Sequence, residues 1–290
     1  MKININNKNL AINGAAPYRN FNKKWLDNFT TDEKEKEAII EVLDSGYLSL
    51  FEGSHTPDYP FSFEGGPYVK SFEEEWCNYY KTKHAISMNS ATSGLFASIA
   101  ALEVGFGDEV IVSPYTMTAC ALAPLIYGAI PVFADVELET GCMDPKSIRS
   151  KISKHTKAII IVHQFGIPAN MEEIMSIAKQ YDVRVIEDCA QAHGCLYKGK
   201  AVGTFGDIGV FSLNVNKTIQ AGEGGICITA DDELAYRLKL VRNHGEAVVG
   251  PANYKNITNI AGFNYRMTEI TAAVASAQLK KLDNLNKSRI

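Results

Sequence analysis

From residue 84 onward, short apolar, β-branched runs alternate with amphipathic stretches, and few folds can absorb that pattern. The runs fall at 84–88, 109–113, 131–134, 158–162, 184–187, 208–212 and 226–229. Segments with a helical period separate them at 92–102, 115–127, 145–152, 171–181 and 231–242. Strands that are apolar on both sides need cover on both sides. The pattern therefore predicts an α/β fold, with a mainly parallel seven-stranded sheet and helices on both faces. Such sheets bind ligands at the carboxyl ends of their strands, so the residues that follow each run are the first candidates for function.

Three of these residues belong together chemically. Asp188 follows the run 184–187, Ser212 ends the run 208–212, and Lys217 comes five residues later, just ahead of the glycine-rich Gly222-Glu223-Gly224-Gly225. A lysine amine can form a Schiff base with an aldehyde, which tethers a cofactor and primes it for exchange with an incoming amine. A cofactor used as an electron sink needs its pyridine nitrogen kept protonated, and a buried carboxylate such as Asp188 can hold that proton. The order aspartate, serine, lysine is the one a pyridoxal phosphate enzyme needs. Either residue alone would read as a surface lysine or a strand-end cap.

In the stretch 89–94 (Asn-Ser-Ala-Thr-Ser-Gly) a strand gives way to a helix, so free N–H groups and the positive helix end converge with the hydroxyls of Thr92 and Ser93. A phosphate dianion suits that spot; simple capping by Ser90 or Thr92 is the plainer account. The formal net charge of −4, with no cluster of Lys and Arg, argues against a nucleic-acid or anionic-membrane surface. The six cysteines, at 77, 120, 142, 189, 195 and 227, show no CxxC spacing, so neither a metal site nor a disulfide scaffold is expected. The first residues lack the apolar core of a signal peptide, and the run 119–134 is broken by Pro124, Gly128 and Pro131, so a cytoplasmic protein is expected. The dinucleotide, P-loop, zincin and serine-hydrolase motifs are absent.

Before the alternating region, a charged helix is expected from Thr31 to Gly46, with Ile39, Ile40, Val42 and Leu43 on one side, followed by a Gly/Pro/aromatic loop over 47–66. After it, 268–290 reads as one long helix without a stop signal. The expected division is an N-terminal segment at 1–66, a large cofactor domain at 67–267, and at 268–290 the start of a helix leading toward a further small domain.

The segments NSATSGL (89–95), GDEVIVSPYTMTA (107–119), EDCAQAHG (187–194), GDIGVFSLNVNK (206–217), GEGG (222–225) and GFNYRMTEI (262–270) occur in the order seen in one family. On these motifs the chain resembles the DegT/DnrJ/EryC1/StrS sugar aminotransferases, which have the aspartate aminotransferase-like fold (fold type I) of pyridoxal phosphate-dependent transferases. The resemblance implies pyridoxal 5′-phosphate as cofactor, with Lys217 and Asp188 as the catalytic residues. It makes Ala91, Thr92, Ser93 and Ser212 the phosphate cradle, and gives Gln191 the cofactor's phenolic oxygen. Met117 stands where relatives carry an aromatic residue above the ring, and a thioether can pack there too; Tyr115 is close by in sequence. His193 reads equally as a neighbour of the cofactor or as a hydrogen-bonded core histidine. Asn264 and Arg266 match a segment that in relatives reaches the partner subunit's site, which implies a homodimer with shared active sites.

The implied reaction is ping-pong transfer of an amino group from glutamate or glutamine to a keto-sugar or keto-cyclitol acceptor. Sugar dehydratases resembling these enzymes carry histidine in place of the Schiff-base lysine, so Lys217 argues against that branch. A non-catalytic cofactor-binding or regulatory protein is the alternative from another class. Neither the sugar, the carbon aminated nor the donor follows from the residues.

Overall fold

All seven apolar runs become strands of one sheet in the computed structural model of the chain. In chain order they are β1 (His84–Met88), β2 (Glu109–Val112), β3 (Ile130–Phe133), β4 (Thr156–Val162), β5 (Arg184–Asp188), β8 (Ile208–Ser212) and β9 (Gly225–Thr229). A two-stranded ribbon that the apolar pattern does not announce, β6 (Leu196–Tyr197) with β7 (Lys200–Ala201), turns between β5 and β8. The sheet order is β1-β9-β8-β5-β4-β2-β3. Pairing is parallel from β8 through β5, β4 and β2 to β3, while β9 runs antiparallel between β8 and β1.

The helices are α1 (Glu33–Ser45), α2 (Pro67–Tyr80), α3 (Ala91–Ala101), α4 (Ala119–Ile126), α5 (Pro145–Lys151), α6 (Met171–Tyr181), α7 (Asp232–Arg242), α8 (Glu269–Leu279) and α9 (Leu282–Arg289). Alternate residues along each strand serve opposite faces. Ala158, Ile160 and Val162 of β4 join Leu95, Ala123 and Leu238 from α3, α4 and α7 in one apolar layer. Ile159 and Ile161 face the other way, against Ile148 and Ile174 from α5 and α6. The same side is continued by α2 and α8, where Phe72, Trp76 and Ala272 meet Phe211 and Ile226. Fully burying one such side chain contributes roughly 1.5–3 kcal/mol, so these layers dominate the fold's stability.

The structure describes residues 8–17, 29–52, 61–245 and 261–289. Residues 1–30 form a unit of their own, in which a 3₁₀ turn at Ala11–Asn13 ends at Gly14 in the left-handed region; residues 31–290 form the other. The loop expected over 47–66 falls partly outside the described residues.

Within the larger unit, α1 starts as expected, with Asp32 and Glu35 closing a capping box, and ends at Gly46. Its apolar stripe is narrower than the sequence suggests: Val42 is buried, whereas Ile40 and Leu43 are more than half exposed. The helix expected over 115–127 begins only at Ala119, because Ser113 Oγ caps Tyr115 N at 3.1 Å and holds the preceding residues in a turn. The single helix expected from 268 is two helices. Lys281 N–H donates to Gln278 O at 3.0 Å, a tightened last turn, while Lys281 Nζ is drawn to Glu35 (2.6 Å) and Asp32 (2.9 Å). The second piece is anchored separately, by Tyr79 Oη on Asp283 (2.6 Å) and Asn286 on the His193 carbonyl (2.8 Å). Among the described residues, no helix is long and apolar enough to cross a membrane.

Candidate active site

Strand register brings the expected residues to one edge of the sheet. Asp188 ends β5 opposite Val210 of β8, and Ser212 ends β8 opposite Gly225, the first residue of β9. On its other side Gly225 pairs with Met88, the last residue of β1. The first turn of α3 lies directly against this junction. A Cβ at Gly225 would come within 2.5 Å of Ser90 O and Ala91 N, so only glycine permits the approach. Ser212, Gly225 and the N-terminus of α3 are therefore neighbours.

At that N-terminus Ser90 is the cap, accepting from Ser93 N at 3.0 Å. Ser93, 7% exposed, donates its hydroxyl to Asn89 Oδ1 at 2.5 Å. Ala91 is buried and Thr92 exposed. The first N–H groups of a helix lack intrahelical acceptors, so those not taken by the Ser90 cap would be available to an anion beside the exposed Thr92. Capping by Ser90 does not exclude an anion here, since it uses only one of these N–H groups.

Asp188 is 5% exposed. Its oxygens accept from Ala190 N (3.0 Å) and from the Cys120 thiol (3.2 Å), neither of which carries charge. Burial pushes its carboxyl above the usual carboxylate range, and those two donors, Lys217 and His163 only partly offset this. A cationic ring nitrogen would supply the missing partner. Lys217 lies in the turn between β8 and β9, half-buried, its N–H donating to Asn214 O at 2.9 Å. Gln191 accepts from Phe165 N through Oε1 (3.2 Å), which leaves its amide NH₂ as the available donor. Gln191 and Lys217 both line a cavity of about 820 Å³, together with His193, Asn216, Asn286 and Arg289. Asp188, Ser212 and Ser93 lie outside that lining, so the cavity adjoins the cradle rather than containing it.

Two expected residues sit at the margin. Met117 is 63% exposed and Tyr115 52%, the tyrosine ring meeting Phe165 edge-on at 6.1 Å. Asn264 is exposed, and its carbonyl accepts from Asn89 Nδ2 (3.2 Å), which puts it beside the α3 N-terminus of its own chain. Arg266 Nε donates to Asn243 Oδ1 at 2.5 Å. Of the two readings of His193, the structure gives a buried residue, 4% exposed between Trp76 and Phe211, that also lines the cavity with Gln191 and Lys217; neither ring nitrogen has a hydrogen-bond partner among the described residues. Burial lowers its pKa to about 4; the nearby Ser212 backbone, outside hydrogen-bonding geometry, opposes this, and Lys217 adds to it.

Sequence reasoning missed a buried brace behind Asp188. Glu187 Oε1 accepts from Phe205 N and Gly206 N, and Oε2 from Gly203 N, each at 2.7 Å. His163 Nε2 lies 2.9 Å from Glu187 Oε2 while its Nδ1 accepts from Ala169 N at 3.1 Å, which puts the ring proton on Nε2. With Cys189 these groups could in principle face a metal ion, but the hydrogen bonds already occupy the histidine and the carboxylate. All six cysteines are free.

Known proteins resemble the chain in sequence and in fold. The chain is 40% identical over 251 residues to GDP-perosamine synthase of Escherichia coli O157:H7, covering 87% of this chain and 64% of that protein. It is 32% identical over 297 residues to L-glutamine:2-deoxy-scyllo-inosose aminotransferase of Streptomyces kanamyceticus, covering 98% and 66%. The crystal structure of an aminotransferase from Psychrobacter cryohalolentis superimposes with a TM-score of 0.79 at 34% identity, over 90% of this chain and 65% of that one. A GDP-4-keto-6-deoxymannose-3-dehydratase solved with a trapped PLP-glutamate geminal diamine gives 0.76 at 29% identity, over 88% and 67%. The chain thus spans 64% to 66% of the length of these two curated relatives.

The donor set fits the expected pyridoxal phosphate: a buried, only partly compensated carboxylate for the ring nitrogen, an amide NH₂ for the phenolic oxygen, and a glycine-pinned helix N-terminus with Ser212 for the phosphate. The family profile matches residues 60–290, which takes in every one of these groups, and the chain belongs to the DegT/DnrJ/EryC1/StrS aminotransferase family.

Proposed function

We propose that the protein binds pyridoxal 5′-phosphate and transfers an amino group from glutamate or glutamine to a keto-sugar, either nucleotide-linked or a keto-cyclitol. The observation that carries this reading is Asp188, a buried carboxylate at a strand end whose burial its donors and Lys217 only partly offset. The names of the relatives, an amino-sugar synthase and a cyclitol aminotransferase, support the substrate class.

When bound, the cofactor supplies an aldehyde that takes up the donor's amino group and a conjugated ring that absorbs the electrons released at the donor's α-carbon. The protein's residues do the rest. Asp188 keeps a proton on the ring nitrogen, and its buried position makes that hold strong. The amide of Gln191 donates to the phenolic oxygen, and the first turn of α3 with Ser212 fixes the phosphate. Lys217 Nζ would hold the cofactor's aldehyde carbon and would carry the proton released at the donor's α-carbon. Met117 covers the ring, and residues 67–267 act as the cofactor domain. Asn264 reaches the cofactor site of a partner in a cytoplasmic homodimer.

The test is release of 2-oxoglutarate from L-glutamate by protein loaded with pyridoxal phosphate, followed by a panel of keto-sugars with and without a nucleotide. Wild type is expected to release it and Lys217→Ala is not. Substantial release by Lys217→Ala would sink the assignment.

A further inference from the structure

Cys120 has no part in the proposed chemistry, yet it touches the group on which that chemistry turns. It sits in the first turn of α4, fully buried, and its thiol donates to Asp188 Oδ2 at 3.2 Å across a separation of 68 residues. The other oxygen, Oδ1, accepts from Ala190 N at 3.0 Å. One donor comes from a neighbouring helix and the other from the strand's own exit turn, so rotating the carboxylate would break at least one of them. Burial, with the adjacent carboxylate, pushes the Cys120 thiol well above its usual range, which keeps the proton on sulfur. An S–H is a weak donor. It can fix the direction of a carboxylate without drawing off much of its charge, and charge is what the ring nitrogen requires.

We propose that Cys120 is a positioning residue, whose thiol locks the plane of the Asp188 carboxylate so that its free lone pairs meet a protonated ring nitrogen. The inference rests on the pyridoxal phosphate reading of the site and adds to it a residue that acts only through Asp188.

The experiment compares binding of pyridoxal phosphate with binding of its 1-deaza analogue, in which the ring nitrogen is a C–H and makes no demand on Asp188. Affinities are measured by fluorescence titration for wild type, Cys120→Ala and Cys120→Ser, with thermal unfolding of each cofactor-free protein alongside. Cys120→Ala is expected to weaken pyridoxal phosphate about three- to tenfold and the analogue by less than about twofold. Cys120→Ser keeps a donor and is expected to restore most of the loss. Equal weakening of both ligands would mean that Cys120 merely fills space, and no weakening of either would mean it does nothing; each overturns the inference while leaving the function standing. If wild type binds neither ligand, the function itself fails and this inference falls with it.

Discussion

Gly225→Ala should loosen the phosphate cradle. The added Cβ would lie 2.4 Å from the Ser90 carbonyl carbon and 2.5 Å from Ala91 N, against an ordinary contact of 3.4 Å, so one side must retreat by about 1 Å (3.4 − 2.4). Strand β9 cannot yield easily, because it is hydrogen-bonded to β1 on one side and β8 on the other, with residue 225 paired to both Met88 and Ser212. The first turn of α3 must therefore swing away, and it takes the free N–H groups with it. Overpacking of this kind costs about 1–3 kcal/mol. Expressed as cofactor affinity that is roughly a 5- to 150-fold loss. Titration with pyridoxal phosphate, alongside urea unfolding of the cofactor-free protein, reads both quantities. Gly105→Ala is the control: it has open space and no left-handed φ, and should change stability by less than about 0.5 kcal/mol. The reasoning fails if Gly225→Ala binds the cofactor as wild type does, or if Gly105→Ala is equally impaired.

Two further predictions concern stability. His193 titrates at about 4 in the folded protein against 6.5 as its ordinary value, because burial disfavours the charged ring. Below pH 6.5 the unfolded chain takes up a proton that the folded chain refuses until about pH 4, so stability is lost as pH falls through that window. Between pH 7 and 5 this amounts to about 2 kcal/mol. His193→Phe, set between Trp76 and Phe211, should remove that part of the acid sensitivity; urea midpoints with unchanged pH dependence would refute it. Arg242 is fully buried and pairs with Glu73 at 2.7 Å. Glu73→Ala strands the guanidinium and should cost about 3–5 kcal/mol, with much of it recovered in Glu73→Ala/Arg242→Met; a single-mutant loss under about 1 kcal/mol would contradict this.

The sheet was legible because every central strand is apolar on both faces, so each appears as an unbroken run within two residues of its final bounds. The reversal of β9 was not, since Ile226 and Ile228 read the same in either direction. Helix α2 went unread although Val69, Phe72, Trp76 and Tyr80 fall at helical spacing: it follows the glycines of the loop, and the run Glu73-Glu74-Glu75, with Glu73 itself buried, interrupts the apolar stripe. The break after Leu279 was hidden because it depends on Glu35, far off in the chain. At the site, Asp188, Ser212 and Lys217 were readable from strand ends, whereas Cys120 looked like any small apolar residue of a helix. Its meaning lies in a contact across the fold that no local pattern encodes.

The reversal of β9 also bears on how the site tolerates change. Parallel neighbours need long crossovers that return to the far edge, but β8 and β9 are joined by a turn at the ligand edge itself. Lys217 rides on that turn, which is stitched by Leu213 N to Gly224 O, Val215 N to Gly222 O and Ala221 N to Leu213 O. Its backbone is held on both flanks, like the keystone of a short arch, and only the side chain is left to reach. Inserting or deleting a residue there would displace the amine. Whatever varies elsewhere around the site, the position of the amine depends on the length of this arch.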